Sequence, residues 1–244
     1  MNLVIKSREN KIYTNVFYIS KLCIYNILIF FSELKIRVIE YDASGFKQTE
    51  NNKHQEYQVA SMISHPRYDP TRLSYDVAVL KVVTRPDGFG GIRGRIDLSQ
   101  TDDINAACLP GCDNQFDYQF RNGTGVRCWV AGWGKDGKDG NFQIIQNKVD
   151  VPLMSSFECQ ARMKQALGRD AGRNFQLSES EICAGGEEGK DACDGDGGAP
   201  LVCLSKDNRW NVVGLVTWGV DCARKGVPGV YANVYNMLDF ILSA

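Results

Sequence analysis

Apolar and polar residues alternate along several stretches of the chain from about residue 34 onward, and other stretches are continuously apolar and β-branched. Both patterns are typical of β-strands, the first half-buried and the second buried. The stretches that show them are 35–41, 76–82, 126–134, 148–154, 199–205, 210–219 and 229–234. Turn-rich linkers such as RPDGFGGIRG and GKDGKDGN separate them, so the sequence predicts an all-β fold of the barrel or sandwich type.

Two stretches have helical spacing instead. In 156–168 the side chains of Phe157, Ala161, Met163 and Leu167 give an approximate apolar face, which predicts an amphipathic helix. The last residues, NMLDFILSA, have a similar spacing and predict a short C-terminal helix.

Residues 1–33 do not share the strand pattern of the rest of the chain. The apolar run LCIYNILIFF at 22–31 follows basic residues, as in a signal peptide, but no small-x-small cleavage site comes after it. The run is too short to span a bilayer, and we predict no membrane partner. A signal peptide, a structural segment of irregular composition and a misread or truncated stretch all stay open, and we favour the last. We therefore predict that the folded domain occupies 34–244.

Length and composition fit a folded domain. The 244 residues are 43% apolar and 23% charged, which is ordinary for a globular protein. The formal net charge is −1, and the small basic cluster IRGR is expected to be a solvated loop. We therefore predict no nucleic-acid partner.

Nine cysteines in a chain of this length indicate disulfide bonds and an oxidising compartment. A zinc site is the alternative, but the chain has two histidines, and the closest cysteine pair, Cys108 and Cys112, has none nearby. We therefore predict no metal and no other cofactor. Asn122 begins an N-glycosylation sequon, which agrees with secretion.

Eight motifs follow one another from residue 39 onward. They are IEYDAS, HPRYDP, SYDVAVLKV, INAACLP, CWVAGWGKDGKDGNFQ, ICAGGEEGKDACDGDGGAPLVC, VTWG and GVPGVYANV. On these motifs the chain resembles the trypsin-like serine proteases and, most closely among them, the clip-domain serine protease homologues of arthropods. The resemblance covers 34–244 and implies two six-stranded antiparallel β-barrels of the chymotrypsin type with a short C-terminal helix. We expect the first barrel to be incomplete, because the motifs that should precede IEYDAS are missing.

Catalysis in this family needs a serine nucleophile, a histidine base and a buried aspartate that orients the histidine. Asp76 matches the aspartate, whereas Gly197 stands where the resemblance places the serine. Both histidines, His54 and His65, follow the strand that the catalytic histidine should precede. The resemblance therefore implies a pseudoenzyme with a relic site at Asp76 and Gly197. An active trypsin-like endopeptidase and a non-functional fragment are the alternatives.

The binding features of the family are matched better than its catalytic residues. The backbone N–H groups of Gly195 and Gly197 match an oxyanion hole, which could still hold a carbonyl group. The specificity pocket is matched by Asp191, Trp218, Gly219 and Gly229. Asp191 would be its acidic floor and would pair with an Arg or Lys side chain. The alternative role of Asp191 is that of a loop carboxylate capped by backbone N–H groups.

Asp196 matches the aspartate that, in the family, pairs with the amine freed by proteolytic activation. No IVGG-like segment lies upstream, so Asp196 is expected to lack that partner. The loops around it would then be loosely held.

The cysteines fit the resemblance, which implies three disulfide bonds. They are Cys128–Cys203, Cys159–Cys183 and Cys193–Cys222. The cysteines left unpaired, or available for interchain bonds, are Cys23, Cys108 and Cys112. Cys108 matches a cysteine that, in clip-domain proteins, ties the protease domain to an upstream segment.

The resemblance implies a secreted, extracellular protein that acts by binding. Its expected role is that of a non-catalytic cofactor or adaptor in a proteolytic cascade such as prophenoloxidase activation, melanisation or innate immunity. Expected partners are a clip-domain protease, prophenoloxidase or microbial recognition factors.

Overall fold

Antiparallel strands make up most of the protein. The structure, a computed structural model, describes residues 5–8, 11–14, 35–38, 42–43, 55–82, 107–111, 126–206 and 208–244. The first five strands form two separate sheets. A two-stranded sheet contains β1 (Ile5–Arg8) and β2 (Lys11–Thr14), and a three-stranded sheet contains, in order, β3 (Lys35–Val38), β4 (Gln55–Ser64) and β5 (Ala78–Val82).

Six further strands close into a barrel. They are β6 (Arg127–Gly132), β7 (Asn147–Met154), β8 (Glu181–Gly185), β9 (Pro200–Leu204), β10 (Trp210–Trp218) and β11 (Pro228–Asn233). Around the barrel the order is β10, β11, β8, β7, β6 and β9, and each neighbouring pair is antiparallel.

Successive residues of the barrel strands face two different apolar clusters. On β9, Leu201 belongs to a cluster with Leu153 and Tyr231, whereas Val202 belongs to one with Ile241 near the C-terminus. Both β9 residues are at most 1% exposed. Side chains alternate between the faces of a strand, so burial on both faces explains the continuously apolar run at 199–205.

The described residues also contain three helices. They are α1 (Ser156–Ala166), α2 (Gly168–Arg173) and α3 (Leu238–Ser243), the last preceded by a 3-10 turn at Tyr235–Met237. Ser155 caps α1, because its side chain accepts a hydrogen bond of 3.2 Å from the backbone N–H of Glu158. No helix in the described ranges is long and apolar enough to cross a membrane.

The all-β prediction is confirmed. The structure contains the closed six-stranded barrel, a second and partial sheet of three strands, and the short C-terminal helix. Strands β1, β2, β4 and β8 were not predicted. The predicted apolar face of 156–168 is wrong in part, because Phe157 is 86% exposed and Ala161 is also exposed. Cys159 and Met163 are buried instead, since a disulfide to Cys183 fixes which side of α1 faces the barrel.

The two leucines of β9 offer a matched test of this packing. Leu201 is 0% exposed and Leu204 is 41% exposed. We expect Leu201→Ala to lower the free energy of unfolding by about 2–5 kcal/mol and Leu204→Ala to change it by less than about 0.5 kcal/mol. Urea unfolding followed by tryptophan fluorescence measures both. Equal effects would contradict the described packing, and a wild-type chain without a cooperative transition would favour the fragment interpretation.

Candidate functional site

A cavity of about 500 Å³ opens between the 191–197 segment, the end of β10 and the start of β11. The four residues that the resemblance assigns to a specificity pocket all line it; they are Asp191, Trp218, Gly219 and Gly229. Gly195 and Gly197 line the same cavity. The structure thus brings together the matched pocket residues and the matched oxyanion-hole glycines.

The position of Asp191 is compatible with both roles that the sequence left open. It lines the cavity, and its carboxylate accepts backbone hydrogen bonds from Ala192 N at 2.9 Å and Ala223 N at 3.0 Å. Burial raises the pKa of Asp191 to about 6, although the two backbone donors act in the opposite direction. Among the described residues no Arg or Lys side chain pairs with Asp191. The carboxylate therefore favours a cation that enters the cavity.

Tyr231 is a pocket residue that the sequence reasoning missed. It lies on β11, is 1% exposed and lines the cavity, and its hydroxyl has no hydrogen-bond partner among the described residues. A Cβ atom at Gly229 would lie 3.1 Å from Asp191 Oδ1 and 3.4 Å from the Tyr231 hydroxyl, so a side chain at this position would crowd both groups. Burial, with the Asp191 and Asp196 carboxylates, raises the pKa of Tyr231 well above its ordinary value. The available signal was a tyrosine within an apolar strand, since a buried Tyr hydroxyl usually requires a partner.

The turn that contains Gly197 is fixed by its backbone. Gly198 N donates to Val216 O at 2.8 Å, and Ala199 N donates to Asp196 O at 2.8 Å. Gly195 has a φ of +95°, in the left-handed region that favours glycine. Neither Gly195 N nor Gly197 N donates to a described residue. Gly197 itself is exposed and has no side-chain atom that could act as a nucleophile.

Asp196 lies beneath this turn and orients it. Its carboxylate accepts a hydrogen bond of 2.8 Å from the backbone N–H of Gly134 and one of 3.0 Å from that of Cys193. A Cβ atom at either Gly132 or Gly134 would overlap this carboxylate, so both glycines provide the space that it occupies. Burial raises the pKa of Asp196. The carboxylate therefore has two backbone partners where the sequence suggested only a missing amine.

Gly134→Ala tests this arrangement, because the new methyl group would displace the Asp196 carboxylate. Overpacking of this kind costs about 1–3 kcal/mol. We expect a lower melting temperature for Gly134→Ala in thermal unfolding. Gly219→Ala is the matched control, since its Cβ would meet only the Asp221 carbonyl oxygen at 3.7 Å. Equal melting temperatures for the two variants would contradict the described contact.

Asp76 is buried, 7% exposed, and precedes β5. Its neighbour Tyr75 has a φ of +53° and donates its backbone N–H to the Ser180 hydroxyl at 2.8 Å.

His65 stacks on the ring of Tyr75 at 4.8 Å and meets Phe240 edge-on at 4.6 Å. Burial, and the nearby Arg67, lower the pKa of His65. His65 is therefore held in an aromatic cluster, as expected for a non-catalytic loop residue.

Ion pairs surround the cavity. Lys138 Nζ lies 2.8 Å from Asp221 Oδ1, and Lys135 Nζ lies 3.3 Å from Asp194 Oδ2. A larger network of Arg127, Asp150, Glu187 and Lys190 holds the segment that leads into Asp191. Exposed pairs are individually worth about 0–1 kcal/mol, so their main effect here is to restrict the loops.

The disulfide bonds of the structure are Cys128–Cys203, Cys159–Cys183 and Cys193–Cys222, the same pairs that the resemblance implies. Cys193–Cys222 joins two segments that line the cavity. Cys108 is half-buried and has no disulfide partner in the described residues. Cys23, Cys112, Asn122 and the apolar run at 22–31 lie outside the described residues.

In the described ranges, no group of three or more His, Cys, Asp or Glu side chains is arranged to hold a metal ion. The site therefore offers a half-buried carboxylate, a buried hydroxyl and the backbone of two glycines, all from residues that line one cavity.

Comparison with known proteins agrees with the fold. The family model described as Trypsin matches residues 23–241. The chain therefore belongs to the trypsin family.

Within that family, the chain is similar to arthropod proteins. It is 40% identical over 212 residues to the inactive CLIP domain-containing serine protease A3 of Aedes aegypti, covering 86% of this chain and 40% of that protein. It is 34% identical over 212 residues to phenoloxidase-activating factor 2 of Galleria mellonella, covering 85% and 62% respectively. The protein masquerade of Drosophila melanogaster is 32% identical over 219 residues, covering 90% and 18%. The chain thus spans less than two thirds of the length of each of these relatives, and its similarity to clip-domain serine protease homologues is confirmed.

Proposed function

We propose that this domain is a non-catalytic member of the trypsin family that binds a basic side chain of a partner protein. The observation that carries the proposal is the turn at Gly197, which borders an acid-floored cavity and offers no side-chain hydroxyl. Without a nucleophile no acyl-enzyme can form, although a guanidinium or ammonium group can still pair with Asp191. The domain would still bind the basic side chain of its partner but would not hydrolyse a peptide bond.

The proposed setting is an extracellular proteolytic cascade in which the domain acts as a cofactor or adaptor. Support comes from the names of two relatives, one called inactive and one called a phenoloxidase-activating factor. The three disulfide bonds agree with secretion. Prophenoloxidase activation, melanisation and innate immunity are the proposed processes. A clip-domain protease, prophenoloxidase and microbial recognition factors are the proposed partners.

Benzamidine, a small aromatic cation, tests the pocket directly. Asp191 has a pKa of about 6 in the free cavity, so its carboxylate is charged above that pH and neutral below it. We expect the affinity for benzamidine to be constant near pH 8 and to fall below about pH 6, by up to about tenfold per pH unit. Isothermal titration calorimetry across this range measures the effect.

Two variants control the titration. Asp191→Asn should abolish binding and with it the pH dependence. Asp194→Asn should preserve both, because Asp194 lines the same cavity but is 71% exposed and already paired with Lys135. Binding that survives in Asp191→Asn would contradict the pocket assignment.

The absence of catalysis is tested with a fluorophosphonate probe and an Arg-peptide substrate. Both need a nucleophilic serine, and we expect neither labelling nor hydrolysis under conditions where an active trypsin gives both. Benzamidine binding in the same sample would show that the protein is folded. Stoichiometric labelling of any serine would instead support the alternative of an active endopeptidase.

A further inference from the structure

A buried carboxylate that does not line the Asp191 cavity has no part in the function proposed above. Glu181 is the first residue of β8 and is 5% exposed. Among the described residues no Arg or Lys side chain forms an ion pair with it. Burying a carboxylate without a cationic partner is costly unless hydrogen-bond donors surround it. The donors around Glu181 therefore indicate which groups it holds in place.

The two carboxylate oxygens of Glu181 accept hydrogen bonds from two different groups. Oε1 accepts a bond of 2.9 Å from the indole N–H of Trp218, and Oε2 accepts one of 2.9 Å from the backbone N–H of Ser178. The backbone N–H of Glu181 in turn donates to the carbonyl oxygen of Ser178 at 3.0 Å. One oxygen thus anchors the carboxylate to its own turn, and the other holds the indole. A charged acceptor makes such a bond stronger than a neutral one.

Trp218 is shared by two cavities. It lines the Asp191 cavity and also a second cavity of about 500 Å³, whose wall contains Glu181. Among the described residues that line these two cavities, Trp218 is the only one common to both. Glu181 can therefore influence the Asp191 cavity through the indole without lining that cavity itself.

Apolar contacts and one hydrogen bond hold the indole of Trp218. The ring meets Phe175 edge-on, with centroids 5.9 Å apart, and it packs against a buried cluster that includes Met163 and Val230. In the part of the chain that the structure describes, Glu181 is the acceptor of the indole N–H. Apolar packing is not directional. The hydrogen bond to Glu181 is therefore the contact that selects the orientation of the ring.

We propose that Glu181 is a positioning residue, whose carboxylate holds the Trp218 indole in the wall of the Asp191 cavity and thereby raises the affinity of that cavity for a cation. A side chain that is already held need not be ordered when a ligand enters. Ordering one side chain on binding lowers the affinity by a factor of about two to ten. The proposal rests on the proposed function of the cavity and adds a residue outside it.

The indole N–H resonances test the hydrogen bond. The chain has four tryptophans, so a proton–nitrogen correlation spectrum should give four indole peaks, and Trp218→Phe identifies the peak of Trp218. We expect Glu181→Ala to shift this peak and to speed the exchange of its proton with solvent. Glu179→Ala is the matched control, because Glu179 lies in the same turn, is 68% exposed and bonds to Tyr75 and Arg67 instead. It should leave the Trp218 peak in place.

Calorimetry with benzamidine at pH 8 tests the effect on the cavity. We expect Glu181→Ala to lower the affinity about two- to tenfold and Glu179→Ala to leave it unchanged. In the Trp218→Phe background, which lacks the indole N–H, adding Glu181→Ala should lower the affinity less than it does in the wild-type chain.

Glu181→Gln is the second variant, needed if Glu181→Ala does not fold. Its side chain has nearly the same size but only one acceptor oxygen for two donors. We expect its affinity for benzamidine to lie between those of the wild-type chain and Glu181→Ala.

The outcomes separate this proposal from the proposed function. A wild-type chain that does not bind benzamidine would overturn the proposed function and the positioning role with it. Normal binding by the wild-type chain and equal binding by Glu181→Ala and Glu181→Gln would overturn the positioning role alone, and so would a Trp218 peak that neither variant shifts. Equal losses of affinity in the wild-type and Trp218→Phe backgrounds would show that Glu181 acts by another route, which would also overturn it.

Discussion

The geometry of the site depends on the hydrogen bonds that the Asp196 carboxylate accepts. A carboxylate that is partly removed from water needs donors, and here they are backbone N–H groups of two segments, at Gly134 and Cys193. One acceptor thus joins the end of β6 to the turn that carries Gly197. The glycines at 132 and 134 leave the space for it. The orientation of the turn is therefore set by the hydrogen bonds of a half-buried carboxylate, although Gly197 itself is exposed.

The segment 221–223, two of whose residues line the cavity, has a strained backbone. Asp221 and Ala223 have φ values of +61° and +57°, a conformation that costs about 1–2 kcal/mol for a residue other than glycine. The Cys193–Cys222 disulfide and the Lys138–Asp221 pair hold this segment in place. Ala223 N in turn donates to Asp191. The floor carboxylate is thus oriented by a segment whose conformation other contacts must stabilise.

The sequence allowed the barrel to be predicted because β6, β7, β9, β10 and β11 carry apolar runs or a period of two, which depend on local burial. Strand β4 was missed because QEYQVASMIS mixes polar and apolar residues without a clear period. The face of α1 was predicted in part wrongly. The buried residues Cys159 and Met163 are four apart, as helical periodicity requires, but the disulfide to Cys183 places that side rather than the side of Phe157 against the barrel.

The candidate site was predictable to the extent that motifs mark it. Asp191, Trp218, Gly219 and Gly229 came from the resemblance, and one cavity contains all four. Tyr231 could not be found in this way. It looks like any apolar strand residue, and only the folded chain places its hydroxyl beside Gly229.

Because no Arg or Lys side chain among the described residues pairs with Asp191, recognition of a cation at the cavity depends on the ionisation of this carboxylate. In the free domain, burial disfavours the charged form of Asp191, which is why its pKa is raised to about 6. A cation in the cavity reverses that preference, so binding stabilises the ionised carboxylate and, at a pH near its pKa, releases a proton. At neutral pH the Asp191 carboxylate is already charged. The free-energy cost of ionising it in its buried site is therefore part of the free energy of the folded protein before a ligand binds. Under the proposed function, the domain would bind a basic side chain, while Gly197 offers no side-chain nucleophile that could cleave the bound segment.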